Sequence, residues 1–91
     1  MSTKEKIKEE VEVSVEEGHL NEIVLFNDEV NTFDHVIDCL VAICDHDPIQ
    51  AEQCAVLVHY KGSCEIAIGK EADLIPLQED LSLYGLDVEI L

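Results

Sequence analysis

Two periodicities of apolar residues divide this chain into strand-like and helix-like segments. Short β-rich or alternating runs are typical of strands, and they occupy Glu22 to Asn27, Cys64 to Ile68 and Asp87 to Leu91. Apolar residues spaced three to four positions apart are typical of amphipathic helices, and they occupy Phe33 to Cys44, Ile49 to Tyr60 and Lys70 to Tyr84. The predicted order is therefore β-α-α-β-α-β.

Capping residues indicate where the first two helices begin and end. Asn31 or Thr32 can accept a hydrogen bond from the backbone at the start of the first helix. Asp47 can do the same for the second helix, with Pro48 as its first residue and Gly62 at its end. Asp47 and Pro48 thus indicate that the two segments form separate helices rather than one continuous helix.

The third helix contains Pro76, which lacks the N–H group of an internal helical hydrogen bond. We therefore expect this helix to begin near Asp73 or to be kinked. Packing the helices on one face of a sheet buries the apolar stripes of both. The pattern predicts an α+β sandwich, in which a three-stranded, mostly antiparallel sheet carries three helices on one face.

Residues 1–20 differ in composition from the rest of the chain. They are rich in Glu, Lys and Val, and only Val11 to Val15 alternates like a strand. Such a segment buries too little apolar surface to offset the entropy lost on ordering. We expect a flexible acidic tail at residues 1–20 and one folded domain at residues 21–91.

The chain carries a large excess of negative charge. Its 91 residues include 21 acids and five lysines but no arginine, which gives a formal net charge of -16. Phosphate backbones and anionic lipids repel such a chain, so we expect neither nucleic acid nor a membrane as its partner. The sequence has neither an apolar run of spanning length nor the apolar region of a signal peptide. We expect a cytoplasmic monomer whose ligand or partner is cationic.

Four cysteines, Cys39, Cys44, Cys54 and Cys64, each lie in an apolar stretch. Their spacing is not the paired C-x-x-C spacing of a zinc site, and we expect reduced thiols buried as small apolar side chains. His35 lies one helical turn before Cys39, but Cys39 and Cys44 have different phases on the helix. We therefore expect neither a metal site nor a cofactor.

Polar residues that packing does not require occur at two places, after the first strand and near the end of the second helix. Asn27, Asp28 and Glu29 occupy the first place and His59 the second. An amide oxygen, carboxylates and a neutral imidazole all accept hydrogen bonds, and none carries a positive charge. If the two segments meet in space, they form a site for a small cation, and an ammonium group fits best.

The arrangement of these residues is similar to that of a known family. Asn27-Asp28-Glu29 precedes a helix that contains Val36-Ile37-Asp38, and Val58-His59-Tyr60-Lys61-Gly62 ends the next helix. In this combination, the chain resembles the ATP-dependent Clp protease adaptor ClpS over residues 22–91. The resemblance implies a non-enzymatic adaptor of the N-end rule. Such adaptors bind N-degron substrates that begin with Leu, Phe, Tyr or Trp and hand them to a ClpA-like or ClpC-like AAA+ unfoldase.

The resemblance also implies roles for individual residues. The free α-amino group of the substrate is held by Asn27, Asp28 and His59. The first side chain of the substrate enters an apolar pocket formed by Phe33, Val36, Ala55, Val58 and Val88. Glu71 is the residue that matches the family's docking surface for the unfoldase.

Some positions depart from the family's pattern. Glu29 stands where members commonly have a second Asp, Phe33 replaces the usual Met at the pocket rim, and Ala55 replaces a larger apolar residue. Ile75 and Pro76 fall where the Thr and Lys of the docking surface would be. The resemblance therefore leaves open the preferred first residue and the identity of the ATPase.

Two other functions are compatible with the pattern. The same small sandwich resembles the C-terminal domain of the ribosomal stalk protein, an acidic protein-interaction domain that needs no pocket. A hydrolase could use Asp28 and His59 as a dyad, but no serine or cysteine is placed to be its nucleophile. The pairing of Asn27 and Asp28 with His59 distinguishes the adaptor, because a plain interaction domain does not require it.

Overall fold

A computed structural model describes residues 19–91, so the expected acidic tail lies almost entirely outside the described residues. Six elements follow one another along the described part of the chain. They are β1 (Asn21–Phe26), α1 (Phe33–Cys44), α2 (Pro48–Lys61), β2 (Ser63–Gly69), α3 (Glu71–Leu83) and β3 (Asp87–Ile90). The predicted order and the α+β class are confirmed. None of the helices within residues 19–91 has the length and apolar character needed to cross a membrane.

The three strands form one antiparallel sheet with β1 at its centre, in the order β2-β1-β3. Leu25 in β1 pairs with Cys64 in β2 and with Val88 in β3. Because β1 is central, the residue that follows it lies between the first residues of β2 and β3. The loop after β1 therefore lies next to the ends of both neighbouring strands.

An irregularity in β2 is stabilised by a buried histidine. The register moves from Ile23 opposite Ala67 to Val24 opposite Glu65, which leaves Ile66 as the extra residue of a bulge. The Nε2 of His46 lies 2.8 Å from the carbonyl oxygen of Ile66. A carbonyl oxygen can only accept, so Nε2 is the protonated nitrogen of the His46 ring. This bond attaches the α1–α2 connection to the edge strand.

The hydrophobic core lies between the sheet and the helices. All six elements contribute to it, through Ile23, Leu25, Leu40, Ala51, Cys54, Val58, Ile66, Leu74, Leu81 and Val88. Ile23 and Leu25 alternate with Val24, which lies on the other face of β1 and outside this cluster. The core therefore occupies one face of the sheet, as the apolar pattern predicts.

The predicted caps of the first two helices are present. The hydroxyl oxygen of Thr32 accepts a hydrogen bond from the backbone N–H of His35, at 3.1 Å. The carboxylate of Asp47 accepts one from the backbone N–H of Gln50, at 2.9 Å, and Pro48 follows as the first helical residue. Gly62 ends α2 in the left-handed region, with φ of 95°. Capping hydrogen bonds mark the two helix starts, and the left-handed backbone of Gly62 marks the end of α2.

Helix α3 begins at Glu71, two residues before the start expected near Asp73. Pro76 therefore lies inside the helix, where its ring nitrogen cannot donate to the carbonyl of Ala72. Ala72 and Pro76 are both exposed, so water can satisfy that carbonyl. Solvation of this helix face reduces the free-energy cost of an internal proline. The helix can therefore begin before Pro76 by more residues than the sequence predicts.

Candidate functional site

A cleft with a volume of about 620 Å³ opens between the β1–α1 loop, the start of α1 and the second half of α2. Seven of the eight residues expected to bind the substrate terminus line this cleft. They are Asn27, Asp28, Phe33, Val36, Ala55, Val58 and His59. The fold thus brings together two segments that lie far apart in sequence.

A backbone hydrogen bond connects the two polar segments. The N–H of Asn27 donates to the carbonyl of Gly62, at 3.0 Å, just beyond the end of α2. The N–H of Gly62 in turn donates to the carbonyl of Val58, also at 3.0 Å. His59 lies in the last turn of the same helix. The end of β1 and the imidazole therefore border the same cleft.

Asp28 organises the loop in which it lies. Its Oδ1 accepts hydrogen bonds from the backbone N–H groups of Val30 and Asn31, at 2.8 and 2.9 Å. Its Oδ2 accepts from the side-chain amide of Asn31, at 2.8 Å. A carboxylate has about four acceptor positions, so Oδ2 keeps one for a ligand. The backbone hydrogen bond from Asn31 is the largest cause that holds the pKa of Asp28 below its ordinary value of 3.8.

The Asn31 amide also attaches this loop to a connection that is distant in sequence. Its Nδ2 donates to the carbonyl of Gly85, at 2.8 Å, in the connection between α3 and β3. Gly85 has φ of 90°, a value that residues with a Cβ rarely adopt. The wall of the cleft that carries Asp28 is thereby attached to the connection between α3 and β3.

The inner part of the cleft is apolar and its rim is partly exposed. Ala55 and Val58 are only 4% and 6% exposed, and Leu25 and Leu86 are also buried. Phe33 lies at the rim with 43% of its surface exposed. A side chain that enters past Phe33 would exchange water for aliphatic contacts, which favours an apolar group.

The polar end of the cleft lies at the C-terminus of α2. His59 and Tyr60 are both exposed there, with ring centroids 4.8 Å apart and planes at 84°. The carbonyl groups at a helix C-terminus give it a partial negative charge that favours a nearby cation. Helix end, Asp28 carboxylate and imidazole therefore all favour a positively charged ligand group.

Two expected site residues lie outside the cleft. Val88 is buried in the core opposite Leu25, because the side chains of β3 alternate and this position faces the helices. Leu86, two residues earlier, contributes to the cleft wall instead. Glu71 is exposed in the first turn of α3 and does not line the cleft.

The cleft also contains residues that sequence reasoning did not assign to it. Tyr60 adjoins His59 and could have been found from that position in the motif. Thr32 was expected only as a helix cap, yet it also lines the cleft. Leu86 gives no local signal, because its place in the wall depends on how the α3–β3 connection meets the sheet.

Residues 19–91 contain no group of three or more His, Cys, Asp or Glu side chains that could hold a metal ion. Burial raises the pKa of the Cys44 thiol to about 11 and also raises that of Cys54, so both thiols remain protonated. No described serine or cysteine lines the cleft, and the Thr32 hydroxyl caps α1.

Comparison with known proteins bears on the fold and on the family of this chain. No curated protein matches the chain. Among solved structures, it is similar to ClpS2 of Agrobacterium tumefaciens bound to L-phenylalaninamide, with a TM-score of 0.68 and 18% sequence identity. The similarity covers 79% of this chain and 96% of that one, and it establishes the common fold. Residues 16–88 match the family of the ATP-dependent Clp protease adaptor protein ClpS. The chain therefore belongs to the ClpS family of Clp protease adaptors.

Proposed function

We propose that this protein captures substrates with a free N-terminal Leu, Phe, Tyr or Trp and delivers them to a ClpA-like or ClpC-like AAA+ unfoldase. One observation carries the proposal: acceptors for an ammonium group and an apolar recess occupy the same cleft. The N-terminal residue of a protein combines these two chemical groups on one carbon atom. The role requires binding and release only, so the protein is not an enzyme.

The polar end of the cleft supports recognition of the α-amino group. An α-ammonium has three hydrogens, and Asn27, Asp28 and His59 offer an amide oxygen, a carboxylate oxygen and an imidazole nitrogen. The loop hydrogen bonds of Asp28 leave one Oδ2 position available. Because the loop is already ordered, the ligand does not bear the entropy cost of organising it.

The magnitude of the interactions supports reversible capture. Hydrogen bonds to a charged group contribute about 1.5 to 3 kcal/mol each, and burial of a Leu or Phe side chain contributes about as much. Association and side-chain ordering offset much of this sum. The remainder is consistent with a micromolar dissociation constant, about -8 kcal/mol. Such an affinity allows the substrate to be released to the unfoldase.

The ligand of the similar structure provides further support. L-Phenylalaninamide, bound to Agrobacterium tumefaciens ClpS2, has a free α-amino group and an aromatic side chain. Both groups have a matching environment in this cleft, namely the Asp28 loop and the apolar recess around Val58.

Peptides that differ only at the N-terminus test the capture step. A labelled peptide that begins with free Phe or Leu should bind, and its N-acetylated form should not, because acetylation removes both the charge and the hydrogen-bond donors. Fluorescence anisotropy measures both affinities. Comparable affinity for the two peptides would exclude the adaptor function proposed here.

Variants identify the residues responsible. Asn27→Ala and His59→Ala should each weaken binding about tenfold, the equivalent of about 1.4 kcal/mol for a lost hydrogen bond to a charged group. His19→Ala is the matched control, because His19 is exposed and does not line the cleft. Equal effects of His59→Ala and His19→Ala would show that the imidazole in the cleft is not a ligand.

Delivery requires a separate test. Glu71→Ala should slow degradation of a Phe-initiated substrate by a reconstituted Clp protease and leave peptide affinity unchanged, because Glu71 is exposed and lies outside the cleft. Glu52→Ala, at an exposed position of α2, serves as the control. If the Clp protease degrades the substrate at the same rate with Glu71→Ala as with Glu52→Ala, docking uses another surface.

A further inference from the structure

A second cleft, with a volume of about 480 Å³, lies between α1 and α3 and shares no residue with the first. Its α1 wall includes buried Cys39, half-buried Ile43 and exposed Ala42. Its outer edge is formed by Leu83, the last residue of α3, and Tyr84, which follows it. Neither the amine site nor the apolar recess of the first cleft extends to this surface.

A hydrogen bond holds the two walls of this second cleft together. The Nε2 of His35 lies 2.8 Å from the carbonyl oxygen of Tyr84. A carbonyl oxygen only accepts, so Nε2 carries the proton and donates. The Sγ of Cys39 lies 3.6 Å from the same nitrogen. The bond joins the first turn of α1 to the residue that follows α3, so it links the two walls of the second cleft.

The outer edge of the second cleft exposes large apolar side chains. Leu83 is 80% exposed and Tyr84 is 57% exposed. The two residues are adjacent in sequence and border the same recess, so one partner segment could contact both. A partner that covers Leu83, Tyr84 and the α1 wall would remove apolar area from water. The free energy gained is proportional to that area.

Carboxylates border the apolar surface from both helices. Asp38 of α1 and Asp80 of α3 are exposed and line the second cleft, and no Lys or Arg among residues 19–91 does. The lysines of the described region, Lys61 and Lys70, lie at the end of α2 and just before α3. With a net charge of -16, a second copy of this chain would bring like charges together. The charge around the cleft therefore favours a basic partner of different sequence.

We propose that the α1–α3 cleft binds a segment of another protein that carries one or two apolar side chains flanked by Lys or Arg. The apolar side chains contact Ala42, Ile43 and Leu83, while the cationic groups pair with Asp38 and Asp80. The proposal goes beyond the capture of N-terminal residues and does not depend on it, since the two clefts share no residue.

A defined basic peptide tests the proposal. The probe is Lys-Lys-Leu-Ala-Leu-Lys-Lys, labelled with rhodamine at its C-terminal end and N-acetylated so that it lacks the α-amino group recognised at the first cleft. It should bind the full-length protein in a fluorescence anisotropy titration. The same peptide with Glu in place of Lys should not bind, because it would face Asp38 and Asp80 with like charges.

Surface variants with matched controls locate the binding. Asp38→Lys combined with Asp80→Lys should weaken peptide binding at least about tenfold, and Leu83→Ser should weaken it severalfold. Glu52→Lys combined with Glu89→Lys changes the net charge equally at exposed positions outside the cleft. Ile49→Ser is the control for Leu83→Ser, because Ile49 is 68% exposed on α2. Circular dichroism checks that every variant is folded.

Several outcomes would overturn the proposal. Equal loss of affinity in the two charge variants would reveal only a general attraction between a basic peptide and an acidic protein. Absence of binding at millimolar peptide would exclude this occupant. Tight binding that appears only after residues 2–18 are deleted would assign the cleft to the chain's own N-terminal segment. Amide chemical-shift changes around Asn27 and His59 rather than around Asp38 and Leu83 would place the peptide in the first cleft.

Discussion

Asp28 serves the fold and the candidate site at the same time. Its three hydrogen bonds close the loop after β1, and its charge faces the cleft that would receive an ammonium group. The same bonds hold its pKa below 3.8, chiefly through the backbone N–H of Asn31, with partial opposition from burial. Asp28 is therefore ionised at any pH at which a substrate would be captured.

The effect of Asp28 on stability should depend on pH. A carboxyl group whose pKa is lower in the folded than in the unfolded state stabilises the fold above the unfolded value. That stabilisation disappears as pH falls through the folded value. Asp28→Ala should therefore cost about 1 kcal/mol near neutral pH, as for a lost capping side chain. The cost should diminish as pH falls below 3.8.

Urea unfolding at neutral and acidic pH measures this difference between wild type and Asp28→Ala. Glu52→Ala, at an exposed carboxylate outside the Asp28 loop, is the control and should show a smaller change. A cost that remains constant down to the acid limit would mean that the carboxylate charge does not contribute to the loop.

At the scale of elements, the end of α2 determines the geometry of the first cleft. Gly62 ends the helix with φ of 95°, and its carbonyl accepts the bond from Asn27. A Cβ at this position would meet no atom of residues 19–91 within 4 Å. The constraint at Gly62 is therefore conformational, since the backbone is in a region that other residues rarely adopt.

Gly62→Ala should destabilise the protein by about 1 to 2 kcal/mol, the cost of placing a residue with a Cβ in the left-handed region. Because the same turn holds Asn27 near His59, peptide affinity should fall as well. Gly69→Ala is the control. Its added Cβ would lie 3.5 Å from Leu74, an ordinary contact, so stability should change little. Chemical denaturation compares the two, and equal effects would indicate that the Gly62 backbone is not strained by a side chain.

At the scale of the whole molecule, repulsion among acidic groups opposes folding. The net charge is -16, and acidic side chains lie close together even within the sheet. Partial loss of hydration raises the pKa of Glu65 above its ordinary value of 4.5. A hydrogen bond that the protonated Glu65 carboxyl group donates to Glu22, and repulsion between the two carboxylates, raise this pKa further. A carboxyl group with a raised folded pKa destabilises the folded state once it is ionised.

Glu65→Gln should therefore increase stability at pH 7, by roughly 0.5 kcal/mol as for other like-charge pairs on neighbouring strands. This gain should shrink as pH falls toward 4.5, where wild-type Glu65 also becomes neutral. Added salt should stabilise wild type, because screening weakens the repulsion. Thermal unfolding at several pH values and salt concentrations measures both effects. A Glu65→Gln variant less stable than wild type at pH 7 would contradict this account of the pair.

The sequence by itself determined the features that depend on local chemistry. Thr32, Asp47 and Gly62 act on their own helix ends, so their roles follow from capping rules alone. Periodicity likewise predicted the order of strands and helices. The polar residues Asn27 and His59 could be paired only through the family resemblance, because nothing local indicates that a loop and a distant helix end meet.

Only the tertiary structure decided which residues share a surface. Leu86 rather than Val88 reaches the first cleft, because the strand register turns Val88 toward the core. The bulge at Ile66 and its bond from His46 also arise from pairing between segments distant in sequence. The second cleft lies where α1 packs beside α3, and the hydrogen bond between His35 and Tyr84 links its two walls. The helical and strand periods of the sequence indicate which side of an element is apolar. They do not indicate which other helix or strand covers that side.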